Sequence, residues 1–186
     1  MLEERRWTAA LAEHDRVIRE FLTVCQRVAP ADWQQAPIPG KWTVAAVVLH
    51  VCRAYELGRD AMAGGASMRL RVSPRVAWFS RTLILPVVLA TKRFPRGARS
   101  PSEVVPDAAE SLLLMPEAAA QRLERVAGEA AQALRSAAGH RPAPRVTHAY
   151  FGPLSPHATL RLLSAHTRHH ARALCAESKA HAGLRQ

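Results

Sequence analysis

Three histidines fall within five positions of the stretch "LLSAHTRHHARAL", residues 162–174: His166, His169 and His170. The stretch otherwise has the apolar periodicity of an amphipathic helix. On a helix, residues four apart are separated by about 40° around the axis and roughly 6 Å along it. His166 and His170 therefore point the same way, close enough to share one ion. His169 lies about 60° to the other side of His166, so it could replace His170 with a poorer fit. Two imidazoles at this spacing make half a metal site, as in zinc metalloproteases. The protease reading fails, because position 167 is Thr where that chemistry needs Glu. The competing reading is a histidine-rich face left in water.

A third ligand decides between them, and His50 is the candidate. In "VAAVVLHVCRAYE" its neighbours Ala46, Val47, Ala54 and Leu57, three, four and seven residues away, are apolar, so His50 faces inward. A lone inward histidine is ordinarily a hydrogen-bonded core residue. An inward histidine on one helix and an inward pair on another, however, can converge at the axis of a bundle, where bundles build metal sites. Three neutral imidazoles leave a divalent ion with open positions, the arrangement of a catalytic site. Such an ion can lower the pKa of a bound water or hold a thiol as thiolate. Imidazole suits Zn, Ni, Co or Fe about equally, so the ligand set does not name the metal.

The elements that must position these residues are helices. The first runs from about Glu3 to Val28, with Trp7, Leu11, His14, Ile18, Phe21, Leu22 and Cys25 at helical spacing. A proline-rich loop follows to Gly40. The second starts after Thr43 as N-cap and runs to the pair Gly64 and Gly65. The apolar segment 75–91 is expected to be helical, bent or broken at Pro86, and "TKRFPRGARSPSEVVPD" to be loop. The third long helix opens with Pro116 in its first turn and ends at Gly139; the last is capped by Ser155, starts with Pro156 and runs to about His181. No strand alternation or internal repeat is visible. The pattern predicts an all-α four-helix bundle with an extra helical insertion between its second and third helices, one domain over residues 1–186.

The motifs carry a resemblance. "GKWTVAAVVLHV" resembles the second-helix signature of the DinB-like (DinB/YfiT) superfamily, in which a Trp and a capping Ser/Thr precede an inward histidine. "HAYFGPLSPHATLRLLSAHTRHHARAL" is similar to its C-terminal signature, a turn leading into a helix with H-x-x-x-H followed by Arg-Gln. The match is closest to the DUF1569 branch, down to "FPRGARSP" in the middle. The resemblance implies a four-helix bundle holding a divalent metal with His50, His166 and His170. It also implies a metal-dependent enzyme on a small molecule, hydrolase-like or like the thiol-dependent transferases that use mycothiol, bacillithiol or glutathione. Here Ala173 stands where Gln commonly follows the Arg, so any support that Gln lends the site must come from elsewhere.

Other residues have plainer readings. Trp42 is expected to pack at the bundle end. Tyr150 and Phe151 form a hydrophobic plug before the last helix, with pocket lining as the alternative. His148 and His157 are expected in solvent. Cys52 points about 200° away from His50 and is a poor ligand. Glu56 and Asp60 read as solvent or helix-pair residues, and as general bases only if they reach a metal-bound water.

The formal charge is +11, from 26 Lys+Arg against 15 Asp+Glu. That balance makes a non-enzymatic basic protein binding nucleic acid or an anionic surface the alternative function. With no basic run longer than two residues, nucleic acid is the weaker partner. Cys25, Cys52 and Cys175 show no C-x-x-C spacing, which fits a reducing cytoplasm, and "MLEERRWTAALAEHD" lacks an apolar leader. "VAWFSRTLILPVVLA" is too short for a span of about 20 residues. It must be covered as a lid over the metal pocket or by a second copy in a homodimer, the latter favoured.

Overall fold

A computed structural model describes residues 1–95 and 99–184, with side chains in the last helix described through Ala176. Four long helices form the bundle: α1 (Leu2–Gln26), α2 (Val44–Met62), α6 (Pro116–Ala137) and α7 (Pro156–Leu184). Between α2 and α6 lie α3 (Pro74–Phe79), α4 (Leu85–Thr91), a 3₁₀ turn at Ser102–Val104 and α5 (Ala108–Leu113). The expected insertion is present. Part of "FPRGARSP", residues 96–98, lies outside the described residues.

The caps sit where their chemistry requires. Thr43 accepts from the Ala46 N–H at 3.1 Å, and Ser155 from that of Ala158 at 3.2 Å. Pro116 and Pro156 open their helices, where a missing N–H costs nothing. In the insertion, Pro86 has no N–H to give to the carbonyl of Thr82. The preceding turn, Ser80–Ile84, widens to π geometry, and the Leu85 N–H reaches back to Ser80. The break anticipated at Pro86 therefore lies one turn upstream of it.

α2 packs along α6 and α1 along α7, with α6–α7, α1–α6 and α2–α7 contacts closing the bundle. α2 is the central helix: every residue from Val44 to Cys52 is buried. α6 meets it with Ala119, Leu123, Val126, Ala127, Ala130 and Leu134, whose alanines allow a close approach. Across the core, Thr167 donates to the carbonyl of Leu163 at 3.0 Å, so Tyr55 is the donor to the Thr167 hydroxyl at 3.1 Å. Position 167 therefore faces the core. Burial pushes the thiols of Cys25 and Cys52 up to about 12, as inert core residues.

One feature is not foreseen by any periodicity. β1 (Val146–His148) and β2 (Gly152–Leu154) pair antiparallel, with Val146 opposite Leu154 and His148 opposite Gly152. Each has three residues, too few for alternation to register. Segment 75–91 lies partly over α7: Leu85, Val88 and Leu89 bury against Phe151, Leu162 and Ala165. Among the described residues, no helix is long and apolar enough to cross a membrane.

Candidate metal centre

His50 lies mid-way along α2, 2 % exposed, and its Nδ1–H donates to the carbonyl of Val104 at 2.7 Å. That bond fixes the tautomer: Nε2 carries a lone pair and points away from Val104. His166 and His170, one turn apart on α7, bring their Nε2 atoms to it. His50 Nε2 lies 2.9 Å from His166 Nε2, which lies 3.1 Å from His170 Nε2. The three residues form the group of metal-ligating side chains that converges among the described residues. His169 is not part of it; its ring packs 5.4 Å from that of Phe94.

The protons of this cluster do not add up without a cation. His50 Nε2 has no hydrogen, so the 2.9 Å contact needs one on His166. The same hydrogen would then have to serve the 3.1 Å contact to His170 as well. Adding a proton to the cluster is opposed by burial, which holds His50 below the ordinary imidazole range, His166 well below it, and His170 down to about 3. Three neutral rings are thus gathered with their Nε2 atoms facing one another and too few hydrogens for their contacts. Nitrogens sharing one ion at about 2.0–2.1 Å sit roughly 3 Å apart, close to the 2.9 and 3.1 Å of the two contacts to His166, and all three ligand atoms lie within 4.8 Å of one another. The donor set fits a divalent ion.

The supporting contacts come from the insertion and the loop before α2. The Val104 carbonyl supplies an orienting bond that needs nothing from position 173. Trp42, expected at the bundle end, lies against His50 with ring centroids 4.8 Å apart. Arg172 donates to the carbonyl of Lys92 at 3.2 Å, and so ties α7 to the end of α4.

The cluster opens onto a cavity of about 640 Å³. Its walls include Leu57, Gly58, Ile84, Phe94, Leu162 and Leu163, with Lys41 and Arg99 the charged side chains among the described residues. No carboxylate is among the described lining residues. Glu56 and Asp60 are held instead in ion pairs with Arg122 and Arg59, at 2.9 and 2.8 Å. Neither serves the site as a base. Tyr150 and Phe151 line the cavity, the alternative to a plug.

His148 corrects the expectation of a solvated side chain. It stacks on Phe151 at 4.7 Å in the cavity wall, and burial lowers its pKa to about 4. The β-hairpin brings it there, and a three-residue strand left no trace by which to find it. His157 is half-buried too, edge-on to Trp7 at 5.2 Å and remote from the cluster.

The family profile described as the DinB superfamily matches residues 13–174. No curated protein and no solved structure matches the chain.

Proposed function

The chain belongs to the DinB superfamily, and from that premise we propose that it is a metal-dependent enzyme acting on a small molecule, with His50, His166 and His170 as the ligands of a divalent ion. One observation carries the reading: three Nε2 atoms of neutral, buried rings converge with one hydrogen at most to share between two contacts. When bound, a divalent ion there acidifies a coordinated water or thiol.

The cavity bounds the substrate. Its walls are mainly apolar and its charged groups, Lys41 and Arg99, are both cationic. A ligand with an apolar body and an anionic end fits that chemistry, and a low-molecular-weight thiol reacting as its thiolate belongs to the class. Without a carboxylate among the described residues of the walls, proton transfer falls to imidazole. His169 and His148 are neutral at pH 7, because burial lowers both; His169 is the one to accept a proton from a thiol or a water held beside the cluster, since His148, held down to about 4, is a much weaker base. Thiol transfer and hydrolysis are both open to these groups.

Metal analysis of protein made without a histidine tag tests the proposal. Close to one Zn, Ni, Co or Fe per chain is expected, lost on replacing any of the three histidines by Ala. A chain that stays metal-free after dialysis against Zn and Ni would sink it.

A further inference from the structure

The outward side of α3, the π turn and α4 is apolar and uncovered. Val76, Phe79, Leu83 and Val87 recur three or four residues apart, 48 %, 51 %, 54 % and 58 % exposed, with Trp78 beside them at 60 %. These values are unusual for a row of large apolar side chains on one helix, because the opposite side of the same helix, Ala77, Leu85, Val88 and Leu89, is fully buried. Between Asp60 and Glu103 the chain has eight basic residues and no acidic one. The charge of the protein is therefore concentrated around this helix. Among the described residues of that group, only Arg71 has a carboxylate within ion-pair distance, that of Glu103. Arg75 and Arg93, at the two ends of the helix, are exposed.

We infer that this face docks on an anionic lipid surface, with the helix lying in the interface. An exposed Trp, a Phe and aliphatic side chains flanked by arginines are what such a surface accepts: the apolar row enters the acyl boundary and the guanidinium groups meet phosphate. A second copy of this chain suits the face less well. A symmetric dimer through it would press two acid-free, basic surfaces together. Nucleic acid matches the charge but offers nothing to an apolar row of this kind. Ile84 and Ser80 of the same helix line the histidine cavity, so docking would set the cavity against the bilayer.

Co-sedimentation with vesicles is the test. Vesicles of phosphatidylglycerol and phosphatidylcholine should retain the protein, and vesicles of phosphatidylcholine alone should not. Trp78→Ser with Leu83→Asp alters exposed side chains only and should weaken retention about ten-fold or more, as should Arg75→Glu with Arg93→Glu. Leu113→Asp, on α5 and 82 % exposed, should leave it unchanged. Circular dichroism checks that each variant is folded, and the charge pair serves if the apolar pair is not. Failure to bind anionic vesicles at low salt would overturn the inference, as would equal binding to both vesicle types. So would a dimer in light scattering that Trp78→Ser with Leu83→Asp converts to monomer, which would assign the face to a second copy.

Discussion

The Nδ1–H of His50 on α2 donates to the carbonyl of Val104, 54 residues away in the inserted segment, across 2.7 Å. The bundle supplies the three imidazoles, and the insertion decides which nitrogen of His50 faces the other two. Glu103, next to Val104, anchors that turn: its carboxylate accepts from the Arg69 backbone N–H at 2.9 Å and from Ser102 at 3.1 Å, and pairs with Arg71. The Arg69 and Glu103 N–H groups together hold its carboxyl down to about 2.

Loosening that anchor should be felt at the metal. Glu103→Ala is expected to weaken Zn or Ni affinity by a few-fold to about ten-fold, at the lower edge of the range for residues that orient ligands. Because Glu103 is outside the main core, thermal stability should change much less. Competition with a chromogenic chelator measures the affinity. An unchanged value would mean that the Val104 carbonyl holds its place without Glu103.

How much of this was legible in the sequence depends on element length. α1, α2, α6 and α7 are long enough for apolar spacing to accumulate and for Thr43, Ser155, Pro116 and Pro156 to mark their ends, so the bundle and the inward face of His50 could be read directly. Convergence of His50 with His166 and His170 could not, since it depends on how α2 and α7 pack; the family resemblance supplied it. Val104, Trp42 and His148 escaped for another reason. Each acts from a turn, a loop or a three-residue strand, where position is set by tertiary contacts and no period exists to detect. Charge is legible in the sequence only as a gap: no basic run exceeds two residues, and the informative feature is the missing acid across residues 61–102.

Gly152 tests the hairpin that carries His148. Its φ of +68° lies in the left-handed region, and a Cβ there would come 3.4 Å from both the Ala77 Cβ and the Arg81 Nη1. Gly152→Ala should cost about 1–2 kcal/mol from backbone strain alone. Urea unfolding of the two proteins measures it, and a change under a few tenths of a kcal/mol would show that the turn relaxes freely.

Acid should destabilise the metal-free protein, and His148 contributes a definable part. Its folded pKa is lowered to about 4 by burial, against roughly 6.5 when unfolded. Below the unfolded value the unfolded chain binds a proton that the folded chain refuses. The stability is thus fully present above pH 6.5 and lost as pH falls towards 4, by up to roughly 3 kcal/mol for this group. His148→Phe keeps the stacking on Phe151 and removes the proton site. Its stability should fall less than wild type between pH 7 and 4.5 in urea titrations; equal slopes would place His148 in contact with water.

The neighbouring histidines of α7 should separate cleanly. Helical geometry alone left His169 as a substitute for His170. In the folded chain His170 Nε2 is 3.1 Å from His166 Nε2, while the His169 ring leans on Phe94 and lines the cavity. His170→Ala removes one of three ligands and should abolish stoichiometric metal. His169→Ala leaves all three and should keep the metal, yet it removes an imidazole positioned to accept a proton from the substrate. Its effect should therefore appear in turnover of a thiol or ester substrate, about 10²-fold or more if it is the base. The measurement is metal content of both untagged variants, followed by steady-state kinetics of the loaded His169→Ala protein. Metal lost in His169→Ala and kept in His170→Ala would reverse the assignment, because the helix would then have to turn its other face to His50.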